Sequence, residues 1–196
     1  MNAELKVALK EAFPDAILTG PYIYFGPKDH LVSGFCLEMT RNGIYISEFV
    51  YPLFKRSDQL SLLFSERLPY PEGFVDYERW EGNKRVDEVV NWLDANSQRV
   101  KEKLSLGRFV SEIQSHPVAL KNKWVQMVNA LALILLGEYC KARVIIQYLS
   151  DQELPKGMMQ ISEECRVLNG VLECNPDKAR ILVEGWEQEM KAKLKL

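Results

Sequence analysis

The sequence predicts an α+β fold: an N-terminal antiparallel sheet with a short N-terminal helix, followed by an all-α half of repeat-like helical hairpins. Three observations predict it. Residues 16–68 are rich in aromatic and β-branched residues set between turn signals, apolar residues beyond Asn83 recur with a helical period, and Leu131–Leu149 matches Leu168–Trp186 at an offset of 37 residues.

The opening MNAELKVALKEAFPDA has Glu4, Lys6, Lys10 and Glu11 among its apolar residues. That pattern predicts an amphipathic helix and lacks the apolar core of a signal peptide. After Pro14, a strand is expected near Tyr22–Phe25. Ser33–Arg41 and Ile44–Phe54 are β-rich and flank Asn42-Gly43, the dipeptide suited to the positive φ values of a two-residue hairpin. With that turn Arg41 pairs with Ile44 and Met39 with Ile46. Phe35, Leu37, Met39, Ile44, Ile46 and Val50 then share a core face. Gln59–Leu68 alternates and is expected to add a third long strand, with Pro69, Pro71 and Gly73 ending the sheet module at residues 1–80.

A helical module is expected over 83–196. Asn83 is a suitable N-cap, and Val86, Val89, Val90, Leu93, Val100 and Leu104 follow at amphipathic spacing. A helix over Leu106–Ser115 should stop at His116-Pro117, and another should begin near Val118. The 37-residue self-match then implies two helix pairs, at about 121–150 and 158–191. Lys-Ala-Arg recurs at 141–143 and 178–180, and the small Ala142 and Ala179 let the second helix of each pair approach the first.

Gly137, Tyr139 and Ala142 at the first bend resemble the Gly-x-Tyr-x-x-Ala signature of the tetratricopeptide-repeat family. The resemblance covers roughly Lys121–Lys191. It departs from the family in its period, 37 against about 34, and in Cys174 and Pro176, which replace the second Gly and Tyr. It implies stacked helical hairpins and an inner surface for a protein ligand, with the 83–104 helix as the cap on the N-terminal side. At the 37-residue offset Gln126 aligns with Glu163 and Asn129 with Arg166, and these four are the expected partner-binding residues.

Composition bounds the function. With 47% hydrophobic and 27% charged residues and a net charge of -2, the chain has enough apolar residues for a core without a cofactor. Neither half has the basic excess that nucleic-acid binding demands. The apolar run Ala130–Leu136 is far short of the roughly 20 residues of a membrane span. Cys36, Cys140, Cys165 and Cys174 form no CxxC pair, which fits reduced thiols in a cytoplasmic protein.

Reaction motifs are scarce. His30 lies in the loop-like Pro27-Lys28-Asp29-His30 and His116 at a helix end, neither in a hydrolase or metal-protease context. Asp29-His30 alone is no metal site, and the dispersed glycines form no phosphate cradle. Glu48 falls on the apolar face opposite Leu37, where burial would raise its pKa; alternatively a bulge around Tyr51-Pro52 shifts the register, or Glu48 lies at the sheet margin and meets Lys55, Arg56 or Arg67. Glu38 lies on the other face, across from Ser47. The expectation is a non-enzymatic protein-interaction protein: an adaptor, a regulator or a bacterial immunity-type partner. It would use the helical groove or the aromatic sheet face. The alternatives are an enzyme drawing on Glu48, Glu38, His30 and Arg67 at the sheet–helix junction, or a structural subunit of a larger assembly.

Overall fold

The computed structural model describes residues 3–57, 62–68, 73–78 and 83–196. The fold is α+β, with an N-terminal antiparallel sheet and a helical half. The chain forms two compact units: Met1–Tyr51 with Leu60–Ser105, and Pro52–Gln59 with Leu106–Leu196. The sequence placed the helix after Asn83 in the helical half. Its packing places it with the sheet.

The first unit opens with α1 (Ala3–Ala12), which buries Leu5 and Leu9 as its amphipathic pattern requires. Strands β1 (Ile17–Thr19), β2 (Tyr22–Lys28), β3 (Leu31–Met39), β4 (Gly43–Pro52) and β5 (Ser65–Arg67) follow in sequential sheet order, and β6 (Phe74–Asp76) also pairs with β4. Helix α2 (Asn83–Lys101) packs on β3 and α1. Phe35, Leu37, Ile44 and Ile46 from the sheet and Val86, Val89, Leu93 and Val100 from α2 form one buried cluster. Four of the six expected core residues are in it. Met39, at the end of β3, is 44% exposed instead.

The β3–β4 turn differs from its expected form. Thr40 N donates to Gly43 O at 2.8 Å, and Gly43 N donates to Thr40 Oγ1. The turn therefore closes over Arg41-Asn42, with the threonine hydroxyl supplying a local bond. Positive φ falls at Asp29 (50°) and His30 (66°) in the β2–β3 turn, the two-residue pattern expected of Asn42-Gly43. Glycine is required at 43 for a different reason: a Cβ there would lie 2.4 Å from Phe74 Cζ and 2.5 Å from Val75 O, because β6 pairs closely with β4.

The expected third long strand is also corrected. Residues 58–61 lie outside the described residues, Leu62–Phe64 forms a 3-10 turn, and only Ser65–Arg67 is strand. Leu62, Leu63 and Phe64 are three consecutive large apolar residues with no period of two to hold an extended register. Nor does the sheet end at Gly73, since Gly43 pairs with Asp76 and Tyr45 with Phe74.

The second unit contains α3 (Leu106–Ser115), α4 (Lys123–Leu135), α5 (Tyr139–Ser150), α6 (Met159–Cys174) and α7 (Pro176–Leu194). Asn122 caps α4 by accepting from Trp124 N, and Asn175 caps α7 with Pro176 at its first turn. Displaced by 37 residues, α4 falls within α6 and the start of α5 coincides with that of α7. Gly137 takes φ 77° at the first bend. Ala142 and Ala179 are both fully buried, the close-packing positions read from the repeat. Helix α7 also packs on α4, as do α3, α5 and α6. Every residue of α4 from Val125 to Leu135 except Gln126 is buried, since ALALIL offers no polar face. Among the described residues no helix is long and apolar enough to cross a membrane.

Candidate functional site

The most organised charged site lies in the helical unit, and its first element is the turn that follows β4, Pro52-Leu53-Phe54-Lys55, with Lys55 N donating to Pro52 O at 3.4 Å, and the Arg56-Ser57 that follow it. Leu53 and Phe54 are fully buried, which fixes the two cations that follow. On α6, Glu164 sits three residues after Ile161 and four before Leu168, both fully buried, so the helical period itself places a carboxylate on the apolar face. It is 3% exposed. A charge so buried needs partners, and Lys55 Nζ lies 3.1 Å from its Oε2. Arg56 donates to Oε1 through Nε at 3.3 Å and pairs with it through Nη2, 3.2 Å away, and Gln160 Nε2 donates to Oε1 at 2.9 Å.

Aromatic rings complete the site. Lys55 Nζ stands 4.7 Å from the centre of the Trp124 ring and Arg56 Cζ 4.4 Å from that of Trp186, within the range of cation–π attraction. Burial pushes the Lys55 ammonium below the ordinary lysine value, opposed by Glu164. Beside it, burial and then the Glu164 charge push the Cys165 thiol up to about 12. Cys165 is therefore an inert packing thiol, 3.5 Å from Met127 Sδ. Arg56, Ser57, Gln160, Glu189, Met190 and Lys193 line an open cavity of ≈ 340 Å³, and Lys193 Nζ donates to Ser57 O at 2.8 Å.

The catalytic candidates are dispersed within the sheet unit. Glu48 is 2% exposed, as its place on the apolar face predicted. Its cations are Arg99, paired with Oε1, and Lys103, 2.8 Å from Oε2. They replace the expected Lys55, Arg56 or Arg67. Glu38 pairs with Arg67 on an exposed face, where the Arg67 guanidinium also covers the Tyr45 ring at 4.6 Å. His30 forms the β2–β3 turn. Glu48 and Glu38 thus take different cations. Among the described residues no three metal-ligating side chains converge.

The four partner-binding candidates do not form one open surface. Asn129 is 3% exposed, and its Oδ1 accepts from Gln114 Nε2. Gln126 donates to Leu120 O, while Glu163 and Arg166 are exposed on α6. The alignment placed them correctly on equivalent turns. It did not reveal that the central α4 is enclosed by its neighbours. On the aromatic sheet face Tyr24 and Phe49 are buried and meet edge to face. The Glu164 site was missed because its cations and its carboxylate lie more than 100 residues apart in sequence. A legible signal existed in the glutamate on the apolar face of α6.

No family model matches the chain, and no curated protein or solved structure matches it either.

Proposed function

We propose that this chain is a non-enzymatic protein-interaction protein, an adaptor or regulator, whose partner docks on the outer helices of the helical unit. The observation that carries this reading is a pair of repeat-equivalent positions. Val144 on α5 and Ile181 on α7, separated by the 37-residue offset, are 71% and 65% exposed, whereas Ala142 and Ala179 two residues earlier are fully buried. Large apolar side chains held in water at matching positions suit a surface that a partner covers. The enclosure of α4 supports the same choice, because it leaves the outer faces of α5, α6 and α7 as the accessible ones.

The test is a Val144→Glu, Ile181→Glu double variant. Both sites are exposed, so stability should change by less than about 0.5 kcal/mol per site. A tagged parent chain should retain from the native lysate a specific protein that the variant loses. Equal recovery of that protein by both would remove the docking surface.

A further inference from the structure

A cleft within the sheet unit holds unpaired charges of both signs around an aromatic floor, and we propose that it binds the zwitterion of an apolar α-amino acid. Two helix ends and a strand end build it. Helix α1 stops at Ala12 and α2 at Lys101, both in its lining, and the end of β2 supplies Phe25, Gly26 and Lys28. Phe13, Phe25 and Leu104 are buried and form the apolar floor, with the two rings meeting edge to face at 5.8 Å. Gly26 takes φ 106°, and a Cβ there would lie 3.4 Å from Leu104 Cδ1, so glycine keeps that side of the floor uncovered. At ≈ 530 Å³ the cleft is within the range of small-molecule sites.

The charges select the ligand by sign and place, not by their sum. Among the described residues no hydrogen bond or ion pair engages the side chain of Asp15, Asp94 or Lys28. Glu102 accepts from Gln98 Nε2 at 3.1 Å, and the Lys101 ammonium stands 4.8 Å from the centre of the Phe25 ring. Carboxylates and ammoniums thus share one cleft without pairing with each other. A simple cation there meets Lys28 and Lys101, and a simple anion meets Asp15 and Asp94. A molecule carrying both charges offers each its opposite. The two helix C-termini favour an ammonium beside Asp15 and Asp94, which leaves the ligand carboxylate to Lys28. Asp15, Asp94 and Glu102 do not converge as a metal site would. The apolar side chain of the ligand has Phe13, Phe25 and Leu104 to lie against.

The test is nitrogen–proton NMR on the full chain at about pH 6, where an α-amine is protonated, following the Gly26 backbone N–H and the Gln98 side-chain amide. Leucine carries both charges, leucinamide the ammonium alone and N-acetylleucine the carboxylate alone. Both signals should shift saturably with leucine in the millimolar range, and each single-charge analogue should bind about fivefold more weakly, as expected for one exposed ion pair. Variants then assign the charges. Asp15→Asn with Asp94→Asn should weaken leucine and leucinamide and spare N-acetylleucine, and Lys28→Gln should weaken leucine and N-acetylleucine and spare leucinamide. The proposal is overturned if leucine gives no saturable shift, if either analogue binds as tightly as leucine, or if the variants do not discriminate between the analogues. The cleft goes beyond the docking reading, so its failure leaves the Val144/Ile181 surface standing, which recovery of a partner from lysate tests independently.

Discussion

Glu48 in the sheet unit and Glu164 in the helical unit are both almost fully buried, and each is held by one lysine and one arginine. Their settings differ. The cations on Glu48 are Arg99, in the last turn of α2, and Lys103, just beyond its end, with side chains 54% and 22% exposed. Those on Glu164 are consecutive residues at the end of the turn after β4, and the Lys55 side chain is only 8% exposed. The same trio of charges thus has both cations partly exposed in one unit, and in the other a buried lysine beside an arginine 38% exposed. What a partner costs when removed depends on whether the group left behind can reach water.

The largest expected effect comes from Glu164→Gln, which leaves the Lys55 ammonium buried without its counter-charge and should destabilise the chain by about 3–5 kcal/mol. Adding Lys55→Met should recover much of that loss in denaturant unfolding, because the stranded charge is then absent. A double variant as unstable as the single one would show that packing, not charge, dominates there.

Glu48→Gln is the matched experiment in the sheet unit. Arg99 and Lys103 are free to turn towards water, so the loss should be only the charge-assisted hydrogen bonds, about 1–3 kcal/mol. If it equals or exceeds that of Glu164→Gln, relative exposure of the cations is not what separates the two sites. The smallest effect belongs to Arg67→Ala, whose ion pair with Glu38 is open to solvent on both sides. A change of no more than about 1 kcal/mol, shrinking further in salt, is expected from thermal melts at low and high ionic strength.

Much of this architecture was legible because it is written in local periods. The apolar spacing of α1 and α2, the stop before Pro117 and the 37-residue offset each reflect a helix that must bury one stripe. Strand alternation put Glu48 on the apolar face, and the fold decided against the shifted register or marginal position by burying it. The turn at Thr40–Gly43 was misassigned because the dipeptide Asn-Gly carries two meanings: glycine grants positive φ, and it also lacks a side chain. The close approach of Phe74 decides for the second, and that strand is 31 residues away in sequence.

The sequence by itself determined the α+β class, the order of the helices, the equivalence of Ala142 with Ala179, and the poverty of reaction motifs, all of which depend on residue type and short-range spacing. Tertiary structure alone decided that α2 belongs with the sheet, that α4 is enclosed by its neighbours, and that Lys55 and Arg56 meet Glu164 between two tryptophans. Those facts depend on which surfaces meet. The cations that neutralise the buried Glu164 come from more than 100 positions away in the chain, and no local period encodes such a meeting.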